Sequence, residues 1–359
     1  MSQHQPAGER SRPPSIKDVA ARAGVSWRTV SNVIHGHRYL RPETKAKVEQ
    51  AIAELGYRPR AAARQLRGGR SHLLTLAVPY IAHPYFSRLA HAVVEAAGSD
   101  GYDVLIDETL GRPDRERRVA GGYASILTDG IIFSPLTLSA AELGKLRDKT
   151  PLVLLGEHTT EAGLDHVVVD NAASAREATA HLIDSGRRRI GFLGYLFDGT
   201  LGTGDLRFAG YRQALKDAGI RFSASWVVGP AADAPPATAE GDYSREEGFA
   251  RAESLLDRID DFDAIVCAND LLAIGLMHAF RLNGVRVPAD IAVIGWDDVP
   301  EGSFTQPTLS TVSPDLDAVA SAAVRILLRR IEDPATAPTG QVTPHRLVIR
   351  ESTGGPAAR

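Results

Sequence analysis

The spacing of apolar residues changes abruptly near residue 71. Residues 16–56 carry apolar positions at helical spacing, which predicts three short helices. From residue 71 onwards, short apolar runs bounded by Gly, Pro and Asp alternate with amphipathic stretches. This second pattern predicts strands alternating with helices, and therefore parallel sheets that are covered on both faces.

The second region is long enough to need more than one sheet. Its predicted strands are 72–78, 103–107, 130–133, 151–156, 166–170, 188–194, 262–268 and 291–296. The pattern restarts near residue 188, and roughly 280 residues are too many for one open sheet of this kind. We therefore expect two α/β lobes with a cleft between them.

Charge is distributed unevenly between the two regions. Residues 1–70 contain 14 Lys or Arg and 5 Asp or Glu, whereas the rest of the chain contains 27 and 39. A basic region on an acidic body favours a polyanionic partner for the basic region alone. Residues 1–14 are polar and proline-rich, and we expect them to form a disordered tail.

Composition excludes several other classes of protein. The 359 residues include one cysteine, Cys267, so a disulfide-stapled secreted fold is excluded. No apolar run approaches the ~20 residues that a membrane-spanning helix needs. The first 15 residues contain no apolar segment of the kind found in export signals, so we expect a cytoplasmic protein.

The most specific motif is the stretch IKDVAARAGVSWRTVSNVI, residues 16–34. Gly24 stands where a turn between two helices needs a positive φ, and Ser26 can cap the second helix. Apolar residues lie on the inner faces of both predicted helices. Together with the positive charge, this pattern predicts a helix-turn-helix DNA-binding domain over residues 15–57.

The second helix of such a domain enters the major groove. Its outward side chains predict the DNA contacts Trp27, Arg28, Thr29, Ser31 and Asn32. An arginine suits guanine and an asparagine suits adenine, because each can form two hydrogen bonds to the base edge. Thr29 and Ser31 are interpreted as phosphate contacts, which position the protein without reading sequence.

Residues 58–70 form a basic connector between the two regions. It contains no acidic residue, and too few residues lie between Pro59 and Gly68 for a stable helix in water. The sequence is compatible with a flexible linker. It is equally compatible with a hinge helix that folds on DNA, with Leu66 as an apolar wedge in the minor groove.

At this point the chain resembles the lactose-repressor (LacI/GalR) family of bacterial transcription regulators. The resemblance covers about residues 15–353 and rests on IKDVAARAGVSWRTVSNVI, YRPRAAARQLR, HPYF, FAGYRQAL, CANDLLAIG, IAVIGWDD and PTLSTV. It implies an all-α helix-turn-helix head, joined by a hinge helix to a two-lobed, periplasmic-binding-protein-like α/β body. It also implies a regulator, by default a repressor, whose operator affinity is controlled by a small effector bound between the lobes.

The resemblance implies further details of the assembly. The expected lobes are approximately residues 71–170 with 314–341, and 171–313 with 342–353. Hinge contacts with DNA are expected from Arg60, Ala63 and Leu66, although members of the family commonly carry Asn at the position of Arg60. A homodimer is expected on a pseudo-palindromic operator, and the ending ESTGGPAAR, which has no leucine heptads, favours a dimer over a tetramer.

Effector contacts are expected at the carboxyl ends of the strands, where open α/β sheets bind ligands. The expected contacts are Phe86, Asp170, Arg207, Tyr243, Asp270 and Phe304, of which Arg207 and Tyr243 match effector positions of the family. Weaker candidates are Asp107, Leu136, Glu157 and His158, the last two lying where an arginine is common in the family. Arginine forks, carboxylates and aromatic rings suit a sugar or glycoside, with a purine as the alternative.

An α/β enzyme is the main rival interpretation. The segment Gly202–Gly204 is followed by Arg207 where a dinucleotide-binding loop needs its third glycine. The chain contains no phosphate-binding GK[ST] loop, no HExxH pair and no GxSxG elbow. Cys267 lies between apolar residues and is predicted to be buried. We therefore expect a sensor without catalytic residues, cofactor or metal.

Overall fold

The computed structural model describes residues 14–34, 40–57, 70–123, 128–145, 150–156, 162–195, 202–229 and 243–355. The chain divides into two compact units, with the boundary between Ser71 and His72. We call the first unit the head and the second the body.

The head contains the three helices that the apolar spacing predicts. They are α1 (Ile16–Ala23), α2 (Trp27–Ile34) and α3 (Pro42–Leu55). Their inward residues form one small core, made of Val19, Ala20, Val30, Val33, Val48, Ala51 and Tyr57. Such a small core leaves most side chains of α2 on the surface of the head.

The predicted turn chemistry of the head is confirmed. Gly24 has a φ of 66°, in the left-handed region that glycine adopts without steric cost. The hydroxyl of Ser26 accepts a hydrogen bond from the backbone N–H of Thr29 at 3.1 Å. Gly56 ends α3 with a φ of 57°. Each turn residue therefore does locally what its type predicts.

The body alternates strands and helices. Between residues 72 and 184 it contains β1 (Leu73–Val78), α4 (Pro84–Ser99), β2 (Asp103–Glu108), α5 (Pro113–Ala120), β3 (Gly130–Phe133), α6 (Ala140–Gly144), β4 (Leu152–Leu155), β5 (Asp165–Val169) and α7 (Asn171–Asp184). From residue 190 it contains β6 (Ile190–Leu193), α8 (Thr203–Asp217), β7 (Val227–Val228), α9 (Arg245–Leu256), β8 (Ala264–Cys267), α10 (Asp270–Leu282), β9 (Ala292–Trp296), β10 (Ser310–Pro314), α11 (Leu316–Glu332), β11 (Gly340–Thr343) and β12 (His345–Val348).

These strands form two six-stranded sheets of the same topology. The sheet of lobe 1 has the order β11-β5-β4-β3-β1-β2 and is parallel throughout. The sheet of lobe 2 has the order β12-β10-β9-β8-β6-β7, with only β12 antiparallel to its neighbour. Helices α4 and α11 pack together on lobe 1, and the pairs α7–α8 and α9–α10 pack on lobe 2.

The chain passes between the lobes three times. It leaves lobe 1 after β5, returns between β10 and α11, and leaves again between β11 and β12. The last crossing lies at Pro344 rather than between 341 and 342, because Val342 and Thr343 still pair with Val168 and Val169 in the sheet of lobe 1. The segments after β5, after β10 and at Pro344 are therefore the three covalent connections between the lobes.

The interior of the body is apolar, with isolated polar exceptions. Cys267 is buried as predicted, and burial raises the pKa of its thiol. Thr75, in the middle of β1, is completely buried, and its hydroxyl has no hydrogen-bond partner among the described residues.

None of the described helices combines the length and the apolar character that crossing a membrane requires.

Candidate functional site

Segments that follow the carboxyl ends of strands in the two sheets contact each other. His83, in the segment that follows β1, lies with its ring Nε2 3.2 Å from the side-chain Nδ2 of Asn269, which follows β8. The Asn269 amide also donates to the carbonyl of Tyr243 at 3.0 Å, and its oxygen accepts from the backbone N–H of Leu272 at 2.9 Å. These two bonds orient the amide, so Nδ2 donates to His83 across the cleft.

His83 is held in its neutral form. Burial lowers the pKa of its imidazole to about 4, and the nearby positive charges of Arg245 and Arg207 act in the same direction. Nδ1 of His83 lies 3.3 Å from the backbone N–H of Tyr85, so both ring nitrogens face donors and a doubly protonated ring would set a donor against a donor at each of them. Protonation of Nε2 would place its N–H against the N–H of the Asn269 amide, and the hydrogen bond between the lobes would be lost.

Arg207 is the centre of the polar cluster in lobe 2. It lies in the second turn of α8 and is 7% exposed. Its Nε donates to the side-chain oxygen of Asn171 at 2.6 Å, and its Nη1 donates to the carbonyl of Ala268. Its guanidinium carbon lies 3.6 Å from the ring centroid of Trp296, whose indole N–H donates to Ser174. Stacking and hydrogen bonds therefore fix the arginine in one orientation.

Asp297 is a second ionisable group of the cluster. It is 5% exposed, and burial raises the pKa of its carboxyl well above the usual range, although Arg207 and Arg88 oppose the shift. Its backbone has a φ of 121°, and that of Asp298 has a φ of 54°. Arg88 of lobe 1 donates to the carbonyl of Asp298 at 2.5 Å, which makes this strained corner a second contact between the lobes.

Asp270 differs from its sequence interpretation. It is fully buried at the start of α10, and burial raises the pKa of its carboxyl to about 7. One oxygen accepts from the hydroxyl of Thr311 at 2.7 Å, and the other accepts from the backbone N–H of Val299 at 2.8 Å. Both oxygens therefore bind protein atoms, and the side chain fastens α10 to β10 and to the segment after β9 instead of lying at the cleft surface.

Half-buried aromatic residues stand on both sides of the cleft. The ring of Phe86 lies edge-on to Tyr85, with centroids 5.0 Å apart, and 5.8 Å from the ring of His83. On lobe 2, the hydroxyl of Tyr243 donates to the carbonyl of Gly194 at 3.1 Å. Phe86 and Tyr243 thus lie beside the two partners of the contact between His83 and Asn269.

Three other candidates make none of the hydrogen bonds of this cluster that are described above. Asp170 is exposed and accepts a hydrogen bond from the backbone N–H of Ala173, so it caps α7. Asp107, on the edge strand β2, accepts a hydrogen bond from the hydroxyl of Tyr123 at 2.6 Å. Leu136 is 37% exposed in the loop after β3. The capping bond supplies a structural role for Asp170 that a carboxylate at a helix N-terminus commonly plays.

Phe304 was expected among the effector contacts, but it lies elsewhere on the body. It is 86% exposed and lines a separate cavity of about 590 Å3 together with Val287, Pro288, Ser303, Thr305, Gln306, Pro307, Thr308 and Glu351. None of the cluster around Arg207 lines that cavity. Another cavity, of about 750 Å3, lies where the chain crosses between the lobes and is lined by residues that include Arg88, Asp315 and Arg346.

The head presents the predicted DNA-contacting face of α2 with one exception. Trp27, Arg28 and Asn32 are exposed, and the guanidinium of Arg28 lies 5.6 Å from the ring centroid of Trp27. Thr29 is half-buried. Ser31 is only 5% exposed and belongs to the inner side of α2, so the interpretation of its hydroxyl as a phosphate contact is corrected. It sits one turn from Trp27 and packs with the small core of the head.

Some expectations fall outside the described residues. These are the predicted disordered tail, of which residues 1–13 are not described, the hinge residues Arg60, Ala63 and Leu66, and the candidates Glu157 and His158. Within the described part of the chain, no group of three or more His, Cys, Asp or Glu side chains is arranged to hold a metal ion.

Five cluster residues were not among the predicted contacts. They lie at or shortly after the carboxyl end of a strand, and they are His83, Asn171, Asn269, Trp296 and Asp297. The rule that places ligands at carboxyl ends of parallel strands would have found them had it been applied to β1, β5, β8 and β9 alike. Their role depends on contacts between elements distant in sequence, which periodicity does not reveal.

Comparison with known proteins identifies both parts of the chain. Residues 15–60 match the family described as bacterial regulatory proteins, lacI family, and residues 179–353 match a periplasmic binding protein-like domain. The HTH-type transcriptional regulator CelR of Thermobifida fusca is 32% identical over 358 residues, covering 96% of this chain and 99% of that protein. The HTH-type transcriptional repressor PurR of Mannheimia succiniciproducens is 31% identical over 341 residues, covering 94% and 98%.

Solved structures agree with these relatives. The lac repressor dimer bound to operator and the anti-inducer ONPF has a TM-score of 0.82 and 26% identity, covering 95% of this chain and 99% of that one. A complex of transcriptional regulator CelR with cellobiose has a TM-score of 0.68 and 29% identity, covering 94% and 99%. The helix-turn-helix head, the two-lobed body and these full-length similarities show that the chain belongs to the lacI family of bacterial regulatory proteins and is a DNA-binding transcription regulator rather than an enzyme.

Proposed function

We propose that this regulator is a repressor whose operator affinity is controlled by a sugar or glycoside bound between its lobes. The observation that carries the proposal is the cluster around Arg207, which places a fixed guanidinium, an indole ring and an amide at the cleft. A ligand rich in hydroxyl groups matches such a mixture of forked donors, amide groups and flat apolar faces.

Each element of the cluster has a part in this proposal. Nε and Nη1 of Arg207 bind protein atoms within the described residues, which leaves Nη2 as the end proposed for the ligand. Asn269 and His83 supply a donor and an acceptor at the point where the lobes meet. Phe86 and Tyr243 are the proposed apolar contacts, and the buried Asp270 is no longer among the direct contacts.

The effector class is tested by thermal shift of the purified protein with cellobiose, glucose and hypoxanthine. A ligand that binds only the folded state raises the melting temperature by mass action, by an amount that grows with its concentration. We expect a concentration-dependent rise with cellobiose and none with hypoxanthine. A rise with hypoxanthine alone would replace the sugar by a purine.

A purine effector is the second candidate. PurR of M. succiniciproducens is as similar to this chain as CelR is, and the half-buried rings of Tyr85 and Phe86 offer faces on which a planar base stacks. The sugar is preferred because a complex of the similar regulator CelR contains cellobiose, and because the Nη2 end of Arg207 presents a donor suited to hydroxyl oxygens.

The proposed DNA-reading residues are Trp27, Arg28, Thr29 and Asn32 on α2, with hinge contacts from Arg60, Ala63 and Leu66. Replacing Arg28→Ala should weaken binding to the operator by about 5- to 100-fold, because a bidentate pair with guanine contributes about 1–3 kcal/mol of discrimination. Binding to unrelated DNA should change little.

A fluorescence titration on operator and on scrambled duplex, at two salt concentrations, measures both effects. Arg22→Ala is the matched control, because Arg22 pairs with Glu54 across α1 and α3 within the head. Equal losses on both duplexes would assign Arg28 to phosphate contact, which carries no sequence information.

We propose that the protein works as a homodimer on a two-fold operator in the cytoplasm, where chromosomal DNA is accessible. The proposal is supported by the lac repressor dimer of similar fold and by apolar side chains exposed on lobe 1, namely Val94, Leu105 and Ile106. Leu105 and Ile106 lie on the edge strand β2, and exposed apolar edges are usually covered by another chain. Sedimentation at micromolar concentration should show a dimer, and a monomer or a tetramer would contradict the proposal.

A further inference from the structure

A carboxylate in lobe 1 is completely buried and is bound by one short segment of chain. Glu116, on α5, has no exposed surface. One of its oxygens accepts from the backbone N–H of Leu136 at 2.7 Å. The other accepts from the backbone N–H of Thr137 at 3.0 Å, from its hydroxyl at 2.7 Å, and from the backbone N–H of Leu138 at 3.0 Å. A buried carboxylate is tolerated only when its oxygens are satisfied in this way.

All four bonds come from the loop between β3 and α6. This loop begins at the carboxyl end of β3, and β3 is the sheet neighbour of β1. The carboxyl end of β1 leads to His83, which contacts Asn269 across the cleft. The loop held by Glu116 therefore belongs to the same edge of the sheet as the contact between the lobes.

The loop brings Leu136 to this edge. A Cβ placed on Gly111, in the loop after β2, would meet the Tyr80 hydroxyl at 2.9 Å and a methyl of Leu136 at 3.4 Å. Tyr80 precedes His83 by one turn, and its carbonyl accepts from the His83 backbone N–H. The loops that follow β1, β2 and β3 thus meet, and Leu136 remains 37% exposed beside them.

We propose that Glu116 is a positioning residue of the effector site. Its carboxylate holds the segment Leu136–Leu138 so that Leu136 forms an apolar wall of the cleft in lobe 1. The inference rests on the proposed effector cleft, but the position of Leu136 is open to measurement without any ligand.

Glutamine at position 116 replaces one of the two carboxylate oxygens by an NH2 group and keeps the other as an oxygen. The amide oxygen can keep the three bonds to Thr137 and Leu138, but the amide nitrogen then faces the N–H of Leu136, and two donors cannot bind each other. Glu116→Gln therefore releases Leu136 in particular. Glu142→Gln is the matched control, because Glu142 lies in the first turn of the neighbouring helix α6, where its carboxylate accepts from the N–H and the hydroxyl of the cap residue Ser139 at the end of the same loop.

The first measurement uses a spin label on the full-length protein. Leu136→Cys introduces a reactive thiol, whereas the native Cys267 is buried and its thiol pKa is raised. The label should be immobilised in the parent and in the Glu142→Gln background. In the Glu116→Gln background, a mobile component should appear. Thr137→Val, which removes the hydroxyl bond alone, should give a smaller change of the same kind and replaces Glu116→Gln if that variant does not fold. Identical spectra in all backgrounds would overturn the proposal.

The second measurement is a calorimetric titration with cellobiose, on the unlabelled variants. Glu116→Gln should weaken binding at least tenfold, Glu142→Gln by less than twofold, and neither should change operator affinity without cellobiose by more than twofold. Unchanged cellobiose affinity together with a mobile label would also overturn the proposal, because the segment would then be held for stability alone. If the wild-type protein binds hypoxanthine instead, the sugar proposal fails, and the same comparison made with hypoxanthine decides the role of Glu116.

Discussion

The two lobes have the same strand order but bring different chemistry to the cleft. In lobe 2, polar side chains are buried at the carboxyl edge of the sheet, with Arg207 and Asp270 both bonded to protein atoms. In lobe 1, the corresponding edge carries half-buried rings and the partly exposed Leu136. Equal topology with unequal chemistry shows that the fold supplies the cleft and that the residues after the strands decide what it binds.

The two lobes also differ in how rigidly they hold the side chains of the site. Side chains already bonded to the protein lose little freedom when a ligand binds, which favours orientation and specificity. Aromatic rings contribute mainly by excluding water from the ligand. We therefore expect substitutions in lobe 2 to change the effector response most, and substitutions in lobe 1 to change affinity more gradually.

Arg207→Ala should have the largest effect. It removes the guanidinium that joins Asn171, Ala268 and Trp296, and a lost buried charge network costs about 3–5 kcal/mol. The effector response of operator binding should weaken more than 100-fold, and the melting temperature should fall. Titration of operator complexes with cellobiose measures the response. Arg212→Ala is the control, since Arg212 lies on the same helix and stacks on Phe222 instead; an equal loss there would remove Arg207 from the site.

Asp270→Asn should remove the pH dependence of folding stability that the buried carboxyl of Asp270 causes in lobe 2. The folded-state pKa of Asp270 is about 7, whereas an unfolded aspartate titrates near 3.8. Between these values the folded state holds a proton that the unfolded state has lost, so stability falls as pH rises from about 4 to 7. Over this pH range the free energy of unfolding should fall by an amount on the order of 2–4 kcal/mol. Denaturant titrations at several pH values should show a flatter profile for the variant, and an unchanged profile would contradict the assignment.

His83→Gln tests lobe 1, where the pH dependence of folding stability has the opposite sign. The pKa of His83 is lowered to about 4 from 6.5, so the unfolded state binds a proton that the folded state excludes between these values. Stability from this group is complete above pH 6.5 and is lost as pH falls towards 4, by about 1–3 kcal/mol. The variant should lose less stability than the wild type over that interval in the same denaturant titrations. A profile that steepens would contradict the neutral state of His83.

Phe86→Ala should weaken effector binding by about tenfold, since truncating a partly buried ring removes roughly 1–2 kcal/mol of apolar contact. Operator affinity without effector should be unaffected. Calorimetry with cellobiose gives the affinity, and Phe249→Ala, an exposed ring on α9 that faces His278, is the control. If the two variants bind equally well, lobe 1 does not contribute its ring to the ligand.

Thr75→Val should have the smallest effect and the opposite direction. The hydroxyl of Thr75 is buried without a hydrogen-bond partner among the described residues, and valine has nearly the same shape. Removing an unsatisfied polar group should stabilise the protein by about 1 kcal/mol. The free energy of unfolding from urea titration measures the change, with Thr75→Ala as a control that should be destabilising because it leaves a cavity. A destabilised Thr75→Val would mean that the hydroxyl is satisfied.

The sequence determined the local structure of this protein and its division into parts. The three helices of the head, the turn glycines Gly24 and Gly56, and the alternating elements of the body follow from periodicity and residue type, which act over a few neighbouring residues. The strands β10 to β12 were not predicted individually, because their short runs receive their partners from strands far away in the chain.

Only the tertiary structure decided which polar residues lie at the cleft and which lie inside. Asp270 and Asn269 are adjacent in sequence, yet Asp270 is bonded to Thr311 and Val299 in the interior while Asn269 reaches across to His83. Ser31 and Asn32 divide in the same way between the core of the head and its surface. Burial and hydrogen bonding depend on which distant elements pack against a residue, and the local pattern carries no record of them.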